Sequence, residues 1–168
     1  MGKKLTVLFL SSLMVMLATC SKDKVKTAAE YWDLGRESFN NRKYAESIDY
    51  YQKLVKRFPE DTLAIRAFFS VAEIYKNNLK DYQKSIETYK QIIAQYPDDP
   101  KTPNASFMIG YIYANDLKDL EKARTSYEEF MKNYPDHMLV SSAKWEIENL
   151  GKSLDEIPQL QKITKGKE

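Results

Sequence analysis

The sequence repeats one pattern three times at a fixed spacing. Residues 44–59, 82–97 and 120–135 align without a gap, and their matched tyrosines and prolines stand 38 residues apart. The tyrosines are Tyr51, Tyr89 and Tyr127, and the prolines are Pro59, Pro97 and Pro135. A fixed period of this size is typical of arrays in which one helical unit stacks on the next. This repeat constrains the fold more than any other feature of the chain.

Each copy is predicted to be the second helix of a hairpin. Apolar side chains recur at helical spacing, as Ile86, Tyr89 and Ile92 do in the middle copy. Asp81 and Asp119 stand where N-caps are expected, and a proline ends each helix. A first helix precedes each copy, and small residues of the two helices are expected to face each other. The predicted pairs are Gly35 with Ser47, Ala72 with Ser85, and Gly110 with Ala123.

The order of residue types resembles the tetratricopeptide repeat over residues 28–135. An aromatic residue is followed by Leu-Gly, a tyrosine, a small residue, a tyrosine and a proline, although Ser38 replaces the usual aromatic residue in the first copy. The family unit has about 34 residues. Here three extra residues follow each proline, and one lies in the turns KNNLKD and ANDLKD. The resemblance implies an all-α fold, an α-solenoid of three hairpins with a C-terminal capping helix.

The array is predicted to cover residues 28–151, with further segments on both sides. Its repeats are expected at about 28–60, 61–98 and 99–136, and its capping helix at 138–151, where Gly151 stands in the C-cap place. The flanking segments are a signal peptide at 1–19, a linker at 20–27, and a short helix with a loose tail at 152–168.

The N-terminus resembles that of a bacterial lipoprotein. Lys3 and Lys4 precede an apolar run of 13 residues, which is too short for a membrane span because about 20 residues are needed. Residues 17–20, Leu-Ala-Thr-Cys, resemble a lipobox, which implies palmitate on Cys20. Ser21 in place of Asp implies, by the same resemblance, sorting to the outer membrane. An ordinary secretory signal with an incidental cysteine stays open.

The residue inventory argues against several classes of function. With Cys20 assigned to lipidation, the single histidine, His137, has no partners for a catalytic or metal-binding set. The five glycines are scattered, so no phosphate loop is expected. Loss of residues 1–19 would leave equal numbers of basic and acidic residues, 24 of each, which is unlike a nucleic-acid binder. We expect no enzyme, cofactor, metal, nucleic-acid partner or small-molecule substrate.

Four aromatic residues occupy equivalent places in the predicted first helices. Trp32, Phe69, Phe107 and Trp145 are spaced by 37, 38 and 38 residues. At about 100° per residue, each lies a quarter turn from the core-facing centre of its helix. By the resemblance, that side lines the concave peptide groove. Four residues further on, the same side carries Arg36, Glu73 and Tyr111. The alternative, that the aromatic residues are core between repeats, stays open, above all for Trp145.

The sequence thus predicts a non-catalytic scaffold. It would be lipid-anchored at the periplasmic face of the outer membrane and bind a segment of an envelope protein. The long repeat ending in Tyr-Pro resembles the periplasmic branch of the family, which includes the outer-membrane assembly lipoprotein and the Tol-Pal coordinator. A structural subunit of an envelope complex and a Tol-Pal-type division or cell-wall coordinator are the alternatives. The second is weakened because residues 21–26 are too short for a coiled-coil trimerisation segment.

Overall fold

The computed structural model describes residues 26–153 and 156–157. All regular structure within these residues is helical, and they contain no strand. The helices are α1 (Ala28–Asn40), α2 (Tyr44–Arg57), α3 (Thr62–Glu73), α4 (Tyr82–Gln95), α5 (Thr102–Asn115), α6 (Leu120–Asn133) and α7 (Val140–Asn149). The hairpins α1–α2, α3–α4 and α5–α6 stack in chain order, and α7 packs on α6. The prediction of an all-α solenoid of three hairpins is confirmed.

Aspartate side chains begin the second helix of the second and third hairpins. Asp81 and Asp119 each accept a hydrogen bond of 3.1 Å, from the backbone N–H of Lys84 and Lys122 respectively. The ammonium groups of the same lysines lie 2.9 and 2.7 Å from the two carboxylates. The hydrogen bond from the lysine side chain lowers the pKa of each carboxyl group. Both caps therefore keep a negative charge, which is favourable at a helix N-terminus.

The two helices of a hairpin meet through small residues. The hydroxyl group of Ser47 donates a hydrogen bond of 2.8 Å to the carbonyl of Gly35. In the second hairpin, Ser85 donates in the same way to the carbonyl of Ala72, at 2.9 Å. Both serines are fully buried, so the bond satisfies a hydroxyl group that would otherwise be costly to bury. Two of the three predicted small-residue pairs are thus also hydrogen-bonded pairs; in the third, Ala123 has no hydroxyl group to donate.

Two of these positions admit no side chain larger than hydrogen without movement of a neighbour. A β-carbon on Gly35 would lie 2.5 Å from Cε1 of Tyr51. A β-carbon on Gly110 would lie 2.7 Å from Cδ1 of Tyr127. Each distance is far shorter than a van der Waals contact between carbon atoms. The central tyrosine of the hairpin therefore packs directly on the backbone of the first helix.

The hairpin turns contain the extra residue that the sequence predicts for the second and third copies. A backbone hydrogen bond closes each turn, and it spans six residues in those copies but five in the first. The bonds run from the N–H groups of Asp81, Asp119 and Lys43 to the carbonyls of Tyr75, Tyr113 and Ser38, at 2.9, 2.9 and 2.8 Å. In the second hairpin the longer turn follows a π-helical segment, Ile74–Leu79, that continues α3.

Each hairpin turn also contains a basic residue in the left-handed backbone region. Arg42, Lys80 and Lys118 have φ angles of 59°, 56° and 56°. This conformation costs about 1–3 kcal/mol for a residue other than glycine. The three residues follow the C-terminal ends of the first helices, where a positive charge interacts favourably with the helix dipole. The left-handed conformation recurs every 38 residues and is therefore a regular feature of the repeat.

The buried side chains form two clusters. The larger lies within the first two hairpins and reaches into α5, and the smaller surrounds Tyr127 and Phe130 and extends to α7. Tyr113 packs against both clusters and so joins them. Ala143 of α7 is fully buried in the smaller cluster, as predicted for a capping helix. Beyond α7, Gly151 has a φ of 78°, the left-handed conformation expected after a helix end.

Candidate protein-binding groove

Three aromatic residues of the first helices pack on the central tyrosine of their own hairpin. The ring pairs are Trp32 with Tyr51, Phe69 with Tyr89, and Phe107 with Tyr127, with centroids 5.2, 5.8 and 5.3 Å apart. The three outer rings are half-buried, whereas the three tyrosines are buried. We call the row of outer rings, together with Trp145, the aromatic ladder. Part of each half-buried ring belongs to the packing, and part is available to a partner.

Trp145 on α7 is the most exposed member of the aromatic ladder. It is 39% exposed, whereas the other three are half-buried. In the described part of the chain no second helix follows α7, so no hairpin tyrosine lies beneath this ring. The sequence left open whether the capping helix would bury Trp145. The structure places it at the surface.

A cation covers the first ring of the ladder. The guanidinium group of Arg66 lies 4.8 Å from the ring centroid of Trp32, and it reaches there from α3. Such an interaction at an exposed site contributes about 0.5–1 kcal/mol. The sequence analysis missed Arg66. It stands three residues before Phe69, a spacing that places both side chains on one helix face, so helical periodicity could have identified it.

A cavity of about 320 Å³ opens between the first two hairpins. Its lining residues are Phe39, Tyr51, Ser70, Glu73, Ile74, Asn77 and Asn78. Burial raises the pKa of the Tyr51 hydroxyl, while a hydrogen bond with Ser70 and the charge of Arg36 act in the opposite direction. Arg36 therefore lies within electrostatic reach of the cavity that Glu73 lines. Glu73 lines the cavity, whereas the guanidinium group of Arg36 lies 3.9 Å from the carboxylate of Asp33 on its own helix.

Tyr111, the third predicted polar residue, lies under a lysine of the preceding hairpin. The ammonium group of Lys76 is 5.2 Å from the ring centroid of Tyr111 and 3.5 Å from Oδ2 of Asp116. Both charged side chains are largely shielded from solvent, with 15% and 19% of their surfaces exposed. Shielding strengthens the attraction between them. This ion pair ties the second hairpin to the third beside Tyr111, and the sequence analysis missed it.

The hydroxyl group of Tyr127 lies within electrostatic reach of Glu146 on the capping helix. The hydroxyl oxygen is buried and has no hydrogen-bond partner among the described residues. Burial, and then the charge of Glu146 on α7, raise the pKa of Tyr127 well above its usual range. Burial also raises the pKa of Glu146. The hydroxyl therefore stays neutral at physiological pH, and nothing in this arrangement activates it as a nucleophile.

The groove offers apolar rings and a few charged groups, which suits binding better than catalysis. Within the described residues, no three side chains of the histidine, cysteine, aspartate and glutamate types are grouped so that they could hold a metal ion. The one histidine, His137, accepts a hydrogen bond of 3.3 Å from the backbone N–H of Leu139, and its ring packs against Phe130. It therefore has a structural role in the loop before α7.

The tetratricopeptide repeat family model matches residues 31–61, 66–99 and 104–137, which is more than half of the chain. The chain belongs to the tetratricopeptide repeat family. No curated protein matches the chain. Family members are typically non-catalytic scaffolds, and tetratricopeptide arrays bind protein or peptide partners. Binding of such a partner is the function that membership implies for this tetratricopeptide array.

The predicted lipidation site is not among the residues that the structure describes. Cys20 and the predicted signal peptide lie outside the described residues, as does most of the predicted tail. Among the described residues, no helix combines the length and apolar character that crossing a membrane would require. The lipid anchor stays a prediction from the N-terminal sequence.

Proposed function

We propose that this protein is a lipid-anchored adaptor that holds a segment of an envelope protein against the aromatic ladder. The observation that carries the proposal is the packing of Trp32, Phe69 and Phe107 on buried tyrosines while part of each ring stays accessible. Rings fixed in this way lose little conformational freedom on binding, which favours affinity. Aromatic anchors of this kind dominate the binding energy of many interfaces.

The partner segment is expected to be extended or helical, with apolar side chains spaced to meet successive rings. Opposite charges at Arg36 and Glu73 would fix its direction, because a reversed segment would place like charges together. Arg66 adds a positive group at the Trp32 end of the ladder. The adaptor is thus specific through charge at its first two hairpins and through aromatic contacts along its length.

The N-terminal sequence supports an address at the periplasmic face of the outer membrane. The proposed anchor, Cys20, is followed by only a few residues before α1 begins at Ala28. At about 3.5 Å per residue, this linker holds the array within roughly 30 Å of the bilayer. By resemblance to the periplasmic branch of the family, the process we propose is outer-membrane protein assembly. The alternative is a structural subunit of an envelope complex that uses other surfaces.

Removal of the aromatic ladder is expected to abolish partner binding without unfolding the array. In the test variant, Trp32→Leu, Phe69→Leu and Phe107→Leu are combined, so that apolar packing on the tyrosines is kept. Loss of even one anchor of at least 2 kcal/mol weakens binding by about 30-fold. The measurement is affinity for a partner recovered by photo-crosslinking from Asn77, which lines the cavity beside the ladder.

The matched control for the ladder variant replaces three half-buried aromatic residues of the second helices. Tyr44→Leu, Tyr50→Leu and Tyr82→Leu alter the same number of rings away from the ladder. Both variants should keep their helical circular dichroism, and only the ladder variant should lose the partner. Equal loss in both, or crosslinks from exposed Gln91 of α4 but not from Asn77, would favour the structural-subunit alternative.

Replacement of Cys20 is expected to release the protein from membranes. Cys20→Ser removes the thiol group that would carry the acyl chains, whose buried methylene groups contribute about 0.8 kcal/mol each. Cell fractionation and labelling with radioactive palmitate provide the two measurements. Ser21→Asp is the matched control, because it should keep the lipid but move the protein to the inner membrane. A Cys20→Ser variant that still sediments with membranes would contradict the lipid anchor.

A further inference from the structure

One first helix lacks an aromatic residue that the other two have at the same place. Tyr31 in α1, Phe68 in α3 and Ser106 in α5 are equivalent, since they stand four residues before Gly35, Ala72 and Gly110. The side chains of Tyr31 and Phe68 are buried, at 5% and 6% exposure. In the third hairpin the corresponding ring is missing.

A cavity of about 320 Å³ lies at this place. Residues of α4, α5 and α6 line it. Its apolar and aromatic lining residues are Ile93, Ile109, Tyr113 and Tyr134, and its polar ones are Lys90, Ser106, Lys122, Thr125, Ser126, Glu129 and Asn133. Phe107 of the aromatic ladder is not among the lining residues. A cavity of about 150 Å³ lined by apolar side chains is enough to take up benzene. The cavity in the third hairpin therefore has room for at least one aromatic ring.

In the first two hairpins an aromatic ring fills the equivalent place. The ring of Phe68 meets the ring of Tyr96 at the end of α4 with centroids 6.1 Å apart, and Tyr31 meets Phe58 at 6.4 Å. Tyr134 is the equivalent residue at the end of α6. Its ring packs instead on Phe130 of its own helix, at 5.8 Å. The third hairpin thus contains Tyr134, one member of the aromatic pair, but has no ring at the position of Ser106.

We propose that this cavity binds an aromatic side chain of a second protein partner, next to an acidic residue of the same segment. The aromatic part follows from the two hairpins in which Tyr31 and Phe68 occupy the place. The acidic part follows from the charged residues of the lining, which are Lys90, Lys122 and Glu129, two lysines against one carboxylate. Lys122 is paired with Asp119, so the exposed Lys90 on α4 is the lining lysine that forms no ion pair among the described residues. Opposite charges at a binding site guide the approach of a partner and fix its register.

The proposed ring belongs to another molecule. Outside the described residues, the sequence contains one aromatic residue, Phe9 in the predicted signal peptide. The residues after Ile157 include no phenylalanine, tyrosine or tryptophan. A second copy could offer the exposed rings of Phe39 or Trp145, each 39% exposed. Sedimentation of the full chain separates that case from a different partner.

The variant that tests the proposal is Ser106→Phe in the full chain. The new ring should occupy the cavity as Phe68 does in the second hairpin, raise the melting temperature and block binding. The probe is the peptide acetyl-Asp-Phe-Ser-amide, with acetyl-Asp-Ala-Ser-amide as its control. Binding is followed by methyl chemical shifts of Ile93 and Ile109. The phenylalanine peptide should give saturable shifts with the wild type and at least tenfold weaker binding with Ser106→Phe.

Lys90→Glu is the second variant, for the case in which Ser106→Phe fails to fold. Because Lys90 is exposed, its replacement is expected to leave the fold intact. It should weaken binding of the acidic peptide at least fivefold. Absence of shifts with the wild type, equal shifts with the alanine peptide, or shifts unchanged by both variants would overturn the proposal. Concentration-dependent dimers that Ser106→Phe abolishes would assign the cavity to a second copy and overturn the proposed partner. Trp32→Leu combined with Phe69→Leu keeps Phe107, which lies next to the cavity, and should leave these shifts unchanged, so this test fails or succeeds independently of the adaptor function.

Discussion

Phe130→Ala is expected to lower the free energy of unfolding by about 3–5 kcal/mol, the usual cost of deleting a buried phenylalanine ring. Phe130 is fully buried, and its ring meets those of Phe107, Tyr134 and His137 at 5.7, 5.8 and 5.8 Å. It therefore joins the ladder, the end of α6 and the loop before α7. No other side chain of the smaller cluster makes so many ring contacts among the described residues.

The loss is expected to fall mainly on the C-terminal third of the array. In stacked repeats each unit contacts only its neighbours, so damage to one unit is felt locally. Chemical denaturation gives the total change, and hydrogen exchange shows where protection is lost. Met131→Ala, at the half-buried neighbouring position on α6, is the control and should cost clearly less. Uniform loss of protection across all three hairpins would contradict a local effect.

Gly35→Val is expected to destabilise the first hairpin by about 3 kcal/mol, the upper part of the usual range for overpacking. A β-carbon there would meet the Tyr51 ring at 2.5 Å, and the two methyl groups of valine add to the conflict. Because Trp32 packs on the same tyrosine, displacement of Tyr51 should also move the first ring of the ladder. The variant should therefore lose partner affinity together with stability.

Thermal unfolding and partner titration measure the two effects of Gly35→Val. Ala72→Gly in the second hairpin is the matched control, since Ala72 already has a β-carbon at the equivalent place. It should cost about 1 kcal/mol through the helix propensity of glycine and leave the partner affinity unchanged. A Gly35→Val variant with wild-type stability would show that Tyr51 can move freely, against the buried packing described here.

The fold was predictable from the sequence because the repeat shows each structural requirement in two or three copies. Asp81 and Asp119 indicated the helix starts, and the pairing of Gly35 with Ser47 indicated the close approach of two helices. The hydrogen bonds that Asp81 and Asp119 accept from backbone N–H groups, and the one that Ser47 donates, confirm these predictions. Each of them depends on residues close in sequence or on one face of one helix, which is the information that periodicity contains.

The site was less predictable because its contacts join different helices, and some of them join different repeats. The spacing of Trp32, Phe69 and Phe107 indicated a common face but not that each ring packs on a tyrosine of its own hairpin. Arg66 over Trp32 and Lys76 beside Asp116 depend on how adjacent hairpins are stacked. The cavity at Ser106 is a departure from the repeat. It is explained by the burial of Tyr31 and Phe68 at the equivalent positions, which the spacing of residues does not show.

The left-handed residues Arg42, Lys80 and Lys118 have a consequence for the number of repeats. Every hairpin contains one such turn, so strain of about 1–3 kcal/mol is added with each copy. A stack of hairpins has one interface fewer than it has members, so a single hairpin would have the strain and no interface to offset it. The capping helix α7 gives the last hairpin the neighbour it would otherwise lack. A shortened array without α7 would thus lose an interface while keeping every strained turn.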